Sequence, residues 1–124
     1  MERRAFSRVG CAIEATLACS GETSAAKIAN LSLGGALIDT AASPAEGECV
    51  EISFSHDVDG RELTVHCLAR VVRVDTRGLG VQFAEVDYTS LRHLRDIVVA
   101  HGADPRAVRD EFEQFAQRPA APRR

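Results

Sequence analysis

The chain has 124 residues, 45% of them hydrophobic and 27% charged, with a formal net charge of −3. That length supports one domain with one core, and the composition is that of a globular protein with no apolar run near the roughly 20 residues that cross a bilayer. The slightly acidic balance speaks against a general nucleic-acid binder, which carries a basic surplus to neutralise phosphates.

The first residues, "ERRAFSRV", place Arg3, Arg4 and Arg8 ahead of any apolar stretch. The following "VGCAIEATLACSG" is interrupted by Glu14 and Thr16 and has no continuous apolar region of the kind a signal peptide carries, so a cytoplasmic location is expected. In "CAIEATLAC" the residues Cys11, Ile13, Ala15, Leu17 and Cys19 share one side of an extended chain, the mark of a half-buried strand. "SGETS" is a turn, and "AAKIANLSLGGALIDT" reads as two short strands about a glycine-containing bend.

Val50, Ile52 and Phe54 alternate in "CVEISFS", and the Asp-Gly pair of "HDVDGRE" predicts a tight hairpin. "LTVHCLARVVRV" is a long β-branched run, "DTRG" turns it, and Leu79, Val81 and Phe83 are in phase in the last strand. Six or seven strands at this spacing predict an antiparallel barrel or sandwich. From Asp87 the period changes: Tyr88, Leu91, Leu94 and Val98 form a helical stripe, with Asp87 or Thr89 as cap and Gly102 as terminator. Asp104 before Pro105 starts a second helix, lined by Val108, Phe112 and Phe115, and "QRPAAPRR" is expected to fray. The organisation is thus a flexible basic leader (1–9), a barrel (10–86), C-terminal helices (87–117) and a tail (118–124).

Cys11, Cys19, Cys49 and Cys67 form no C-x-x-C pair and are read as buried or half-buried thiols. His66 and Cys67 are strand neighbours that point to opposite faces, so no metal site is expected.

Two clusters stand outside the core periodicity, "RRAFSR" and "NLSLGG". The pair R-x-x-x-R (Arg4, Arg8), followed 22 residues beyond Arg8 by N-x-S-x-x-G (Asn30, Ser32, Gly35), resembles the signature of the PilZ domain, a bacterial receptor for cyclic di-GMP. "ARVVRV", "GVQF" and the helix after them are similar to that family's last barrel strands and C-terminal helix, so about the first hundred residues are covered. The resemblance implies an all-β core, a six-stranded antiparallel β-barrel with C-terminal α-helices. It also implies a cyclic di-GMP site at Arg3, Arg4, Arg8, Asn30, Ser32, Gly34 and Gly35.

The chemistry of such a ligand accounts for these residue types. An arginine fork matches guanine O6 and N7 bidentately, or pairs with phosphate oxygens through charge-assisted bonds. Asn30 can present an amide to a guanine edge and Ser32 a hydroxyl to base or phosphate. Gly34 and Gly35 permit backbone angles that other residues resist and let the ligand approach the main chain closely. The neutral Asn30 lacks the charge an aspartate would offer an arginine. Arg73 in "VVRV" has two readings, a residue facing the pocket or a solvated strand charge; the second is preferred and Arg73 is left outside the site.

The expected function is a receptor whose leader is ordered by the nucleotide and whose changed surface is read by a partner protein not identifiable from the sequence. The alternative is a PilZ-like adaptor that binds a protein and no nucleotide. No catalysis, cofactor, metal, nucleic acid or membrane insertion is expected, and the protein is expected to be a monomer.

Overall fold

The computed structural model describes residues 7–116. Arg3, Arg4 and the tail at 118–124 therefore lie outside the described residues. Six strands follow in order: β1 (Val9–Cys19), β2 (Glu22–Leu31), β3 (Gly35–Thr40), β4 (Cys49–Val58), β5 (Arg61–Asp75) and β6 (Gly78–Val86). They close into an antiparallel barrel in the order β1-β2-β3-β6-β5-β4, with β1 returning to pair with β4. Two helices follow, α1 (Tyr88–Ala100) and α2 (Pro105–Ala116).

Local chemistry makes the hairpins. Asp59 and Gly60 join β4 to β5 with φ of 53° and 83°, the left-handed pair that matches strand twist. Ser20 and Gly21 do the same between β1 and β2, with φ of 53° and 82°. The strands then alternate as their sequence demands. Ile13, Leu17, Ile28, Ile38, Ile52, Val65, Val71, Leu79, Val81 and Phe83 are buried in one core. Among the cysteines, Cys67 is buried, Cys11 and Cys19 half-buried and Cys49 exposed; the last departs from expectation because its strand phase turns it outward. Burial, with Asp87 nearby, pushes the Cys67 thiol up to about 12.

Helix α1 completes that core with Leu91, Leu94, Ile97 and Val98. Tyr88, expected on the same stripe, is 61% exposed, and its ring meets that of Phe112 of α2 in a tilted contact, with centroids 5.9 Å apart. The first turn of α1 is fixed to β5: the His66 N–H donates to Ser90 Oγ at 3.0 Å, and the Ser90 N–H donates to the Asp87 carboxylate at 3.3 Å. Farther along, His93 Nδ1 lies 2.6 Å from the Thr64 carbonyl oxygen. Helix α2 packs on α1 through Val108 and Phe112, with the Arg95 guanidinium 4.9 Å from the Phe112 ring centre.

Asp87 is the N-cap of α1, and hydrogen bonds from Ser90 hold its carboxyl below the ordinary carboxylate range. Asp87→Ala should lower stability by about 1 kcal/mol in urea unfolding at neutral pH. A depressed folded-state value stabilises only above the unfolded carboxyl's pKa, and that contribution is lost as pH falls through the lower folded value. Parent and variant should therefore converge in acid; a gap that persists there would assign the effect to something other than the carboxylate.

Candidate functional site

Strand register brings the two sequence clusters together. Val9 pairs with Leu31 and Gly10 with Asn30, so the chain leaves β1 at Arg8 beside Leu31 and Ser32. Arg8 is exposed at that exit. Half of R-x-x-x-R is thus placed next to N-x-S-x-x-G, while Arg4 and the added Arg3 fall outside the described residues.

The bend between β2 and β3 is closed by its own hydrogen bonds. Ser32 N–H donates to the Gly35 carbonyl at 3.0 Å, while Ser32 Oγ accepts from the Gly34 and Gly35 N–H groups at 3.1 Å each. The hydroxyl also donates to the Gly35 carbonyl at 3.3 Å. Leu33, fully buried, pegs the bend into the core, and the Phe83 N–H of β6 donates to the Gly34 carbonyl at 2.9 Å. Ser32 is itself buried, so its hydroxyl shapes the bend from within.

Gly34 and Gly35 do not use the backbone freedom that glycine permits. Positive φ among the described glycines occurs at Gly21, Gly47, Gly60, Gly78 and Gly102, and not at Gly34 or Gly35. Gly35 is required by a close approach, because a Cβ there would run into the Val81 carbonyl oxygen of β6. What approaches Gly35 is the neighbouring strand.

On the outer face of the barrel, register aligns Gly10, Asn30, Leu37, Gly80 and Arg73 in one row across β1, β2, β3, β6 and β5. Asn30 and Leu37 are half-buried, and Gly10 leaves open space where a side chain would stand. At Gly80 that space is filled by Arg73, whose Cβ and Nη2 would each lie 3.4 Å from an added Cβ. Arg73 also pairs with Asp75 at 3.1 Å. A second row runs Gly35, Gln82, Arg70. Arg73 is exposed, as a solvated strand charge would be, yet it shares a row with Asn30. Sequence alone leaves that neighbourhood undecided, because β5 bulges between Val71 and Arg73 and simple alternation does not give the register there.

The surface so assembled combines an amide at Asn30, guanidinium groups at Arg8, Arg70 and Arg73, and one place without a side chain, at Gly10, where a planar group can lie near backbone. It suits an anionic ligand with flat, acceptor-bearing edges. Elsewhere, Ser53 Oγ lies 3.0 Å from His66 Nδ1, a serine–imidazole pair that sequence reading did not anticipate. It sits in an open groove of about 440 Å³ with Glu14, Thr16, Ser55 and Thr64, where β1 and β4 part beyond their last pair, Ala15 with Phe54. The pair is a cross-strand contact of the kind exposed sheet faces make. Among the described residues no three metal-ligating side chains come together, and no helix is long and apolar enough to cross a membrane.

Residues 2–100 match the PilZ domain family. A comparison with curated proteins returned no match. Among solved structures, the chain is similar to the PilZ domain of YcgR from Escherichia coli with c-di-GMP, at 21% identity and TM-score 0.60, over 94% of this chain and 99% of that one. It is also similar to the PilZ domain of CeSA from a cellulose-synthesizing bacterium, at 21% identity and TM-score 0.56, over 75% and 95% of the two chains. A third similarity is to the inhibitor of motility MotI/DgrA of Bacillus subtilis, at 14% identity and TM-score 0.68. It covers 95% of this chain and 54% of that one.

The glycine geometry predicts a contrast. Gly35→Ala should destabilise the barrel by about 1–3 kcal/mol or more in urea unfolding, since strand backbone must move to admit the methyl group. Gly10→Ala, which meets nothing within 4 Å, should stay within about 0.5 kcal/mol of the parent. Equal stability of the two variants would contradict the close β3–β6 approach.

Proposed function

Because this chain belongs to the PilZ domain family, we propose that it is a receptor for cyclic di-GMP that passes the signal to a partner protein. The observation that carries this reading is the pairing of Val9 with Leu31 and Gly10 with Asn30, which sets the exit of the arginine leader against the N-x-S-x-x-G bend. The description of the YcgR PilZ domain with c-di-GMP supports the choice of ligand.

In this reading Arg4 and Arg8 present their forks to guanine edges or phosphates, and Arg3 adds a phosphate contact. Asn30 offers its amide to a guanine edge. Ser32, Gly34 and Gly35 form the rigid rim, Ser32 by holding the bend rather than by reaching outward. The guanidinium of Arg73, beside Gly80, extends the same surface. Ordering leader residues costs roughly 1–2 kcal/mol each. Several charge-assisted contacts at about 1.5–3 kcal/mol are then needed to reach micromolar binding, near −8 kcal/mol. The protein binds and does not catalyse, works as a cytoplasmic monomer, and requires no metal, cofactor or nucleic acid.

A second reading, an adaptor that engages a protein without nucleotide, draws on the bend itself: the Ser32 hydroxyl has its partners within the bend, which is therefore complete without a ligand. Calorimetric titration with cyclic di-GMP, with GTP and cyclic GMP as controls, separates the two. Binding is expected for the parent, at least about tenfold weaker binding for Arg4→Ala or Arg8→Ala, and no change for Arg123→Ala. Equal binding by all three variants rejects the site, and absence of binding to the parent favours the adaptor.

A further inference from the structure

Ser7, the residue between the two arginines nearest to β1, is held by a residue 104 positions away. Its backbone N–H donates to Glu111 Oε1 at 2.9 Å and its hydroxyl to Oε2 at 2.7 Å. Both carboxylate oxygens of one α2 side chain thus serve a single leader residue. Glu111 is half-buried on a helix that Val108 and Phe112 fasten to the core.

We propose that Glu111 is a positioning residue for the arginine leader: by gripping Ser7 it fixes the main chain immediately before Arg8, and it ties that point to helix α2. This inference rests on the receptor reading above. The grip takes main-chain and hydroxyl groups and leaves the guanidinium of Arg8 exposed. It therefore restrains the leader without occupying the charge that would meet a phosphate. A ligand then has no ordering cost to meet at Ser7, and binding is strengthened because that part of the conformational entropy is already lost in the free protein. Coupling of this kind is reciprocal, so a ligand that stabilises the leader also stabilises the docking of α2.

The experiment is a cyclic di-GMP titration of the full chain with Glu111→Ala, Ser7→Ala, the double variant, and Glu113→Ala as a control elsewhere on α2, after thermal unfolding has established that each is folded. Glu111→Ala should bind about tenfold more weakly. Ser7→Ala, which loses only the hydroxyl bond, should bind less weakly than that, and the double variant no worse than Glu111→Ala alone, as for two residues acting through one interaction. Glu113→Ala should match the parent. Hydrogen exchange of α2 amides should slow on adding ligand to the parent and not in Glu111→Ala. If Glu111→Ala does not fold, Ser7→Ala decides by the same two readouts. Parent-like affinity in Glu111→Ala, or losses that add in the double variant, overturns the positioning role and leaves the receptor reading standing. No binding by the parent overturns the receptor reading and this inference with it.

Discussion

Strands β3 and β6 approach each other closely enough that a side chain is excluded at two points of contact. A Cβ on Gly35 would strike the Val81 carbonyl, and one on Gly78 the Ile38 carbonyl. These strands are not consecutive, and their pairing is one of the two seams that close the barrel. It carries the end of the β5–β6 hairpin, with Arg73, alongside the bend that bears Asn30. Without that seam the outer-face row from Gly10 to Arg73 would not exist. The positions of the candidate site follow from a backbone contact, and the side chains are arranged upon it.

Helix α1 depends on the barrel in a complementary way. Ser90 receives a hydrogen bond from the backbone of β5, and its own N–H meets the Asp87 cap, so one buried serine joins the strand ladder to the helix start. With Leu94, Ile97 and Val98 fully buried, α1 belongs to the same core as the strands. Helix α2 rests on α1 through an aromatic and cationic contact at Phe112 and reaches the leader through Glu111. A continuous series of contacts thus runs from the first described residue to the last helix.

Much of this architecture is legible in the sequence because it depends on local rules. Period-two alternation in Cys11–Cys19 and in β4, the Asp59-Gly60 turn, the cap at Asp87 and the Asp104-Pro105 start each reflect short-range chemistry. Features that depend on register are not legible. Arg73 joins the row of Asn30 through three successive strand pairings, two of them adjoining a register shift. Gly35 looks like a residue chosen for its backbone angles, whereas the constraint comes from a strand 46 positions away at Val81. Cys49 is apolar by residue type, but its strand phase turns it to solvent. Tyr88 fits the helical stripe by spacing, but its ring finds Phe112, which periodicity within α1 cannot reveal. The bond from Ser7 to Glu111 has no sequence signal, since neither residue departs from what an exposed polar position would hold.

The order of strands around the barrel has a consequence for how the molecule assembles. The β1–β2 and β4–β5 hairpins turn on two residues each and bring together neighbours in the chain, so little loop entropy is lost in forming them. The seams between β1 and β4 and between β3 and β6 join segments separated by long stretches of sequence, and neither rewards the chain until the intervening loop has closed. Topology therefore places most of the loop-closure cost at the two distant junctions that turn these ribbons into a cylinder.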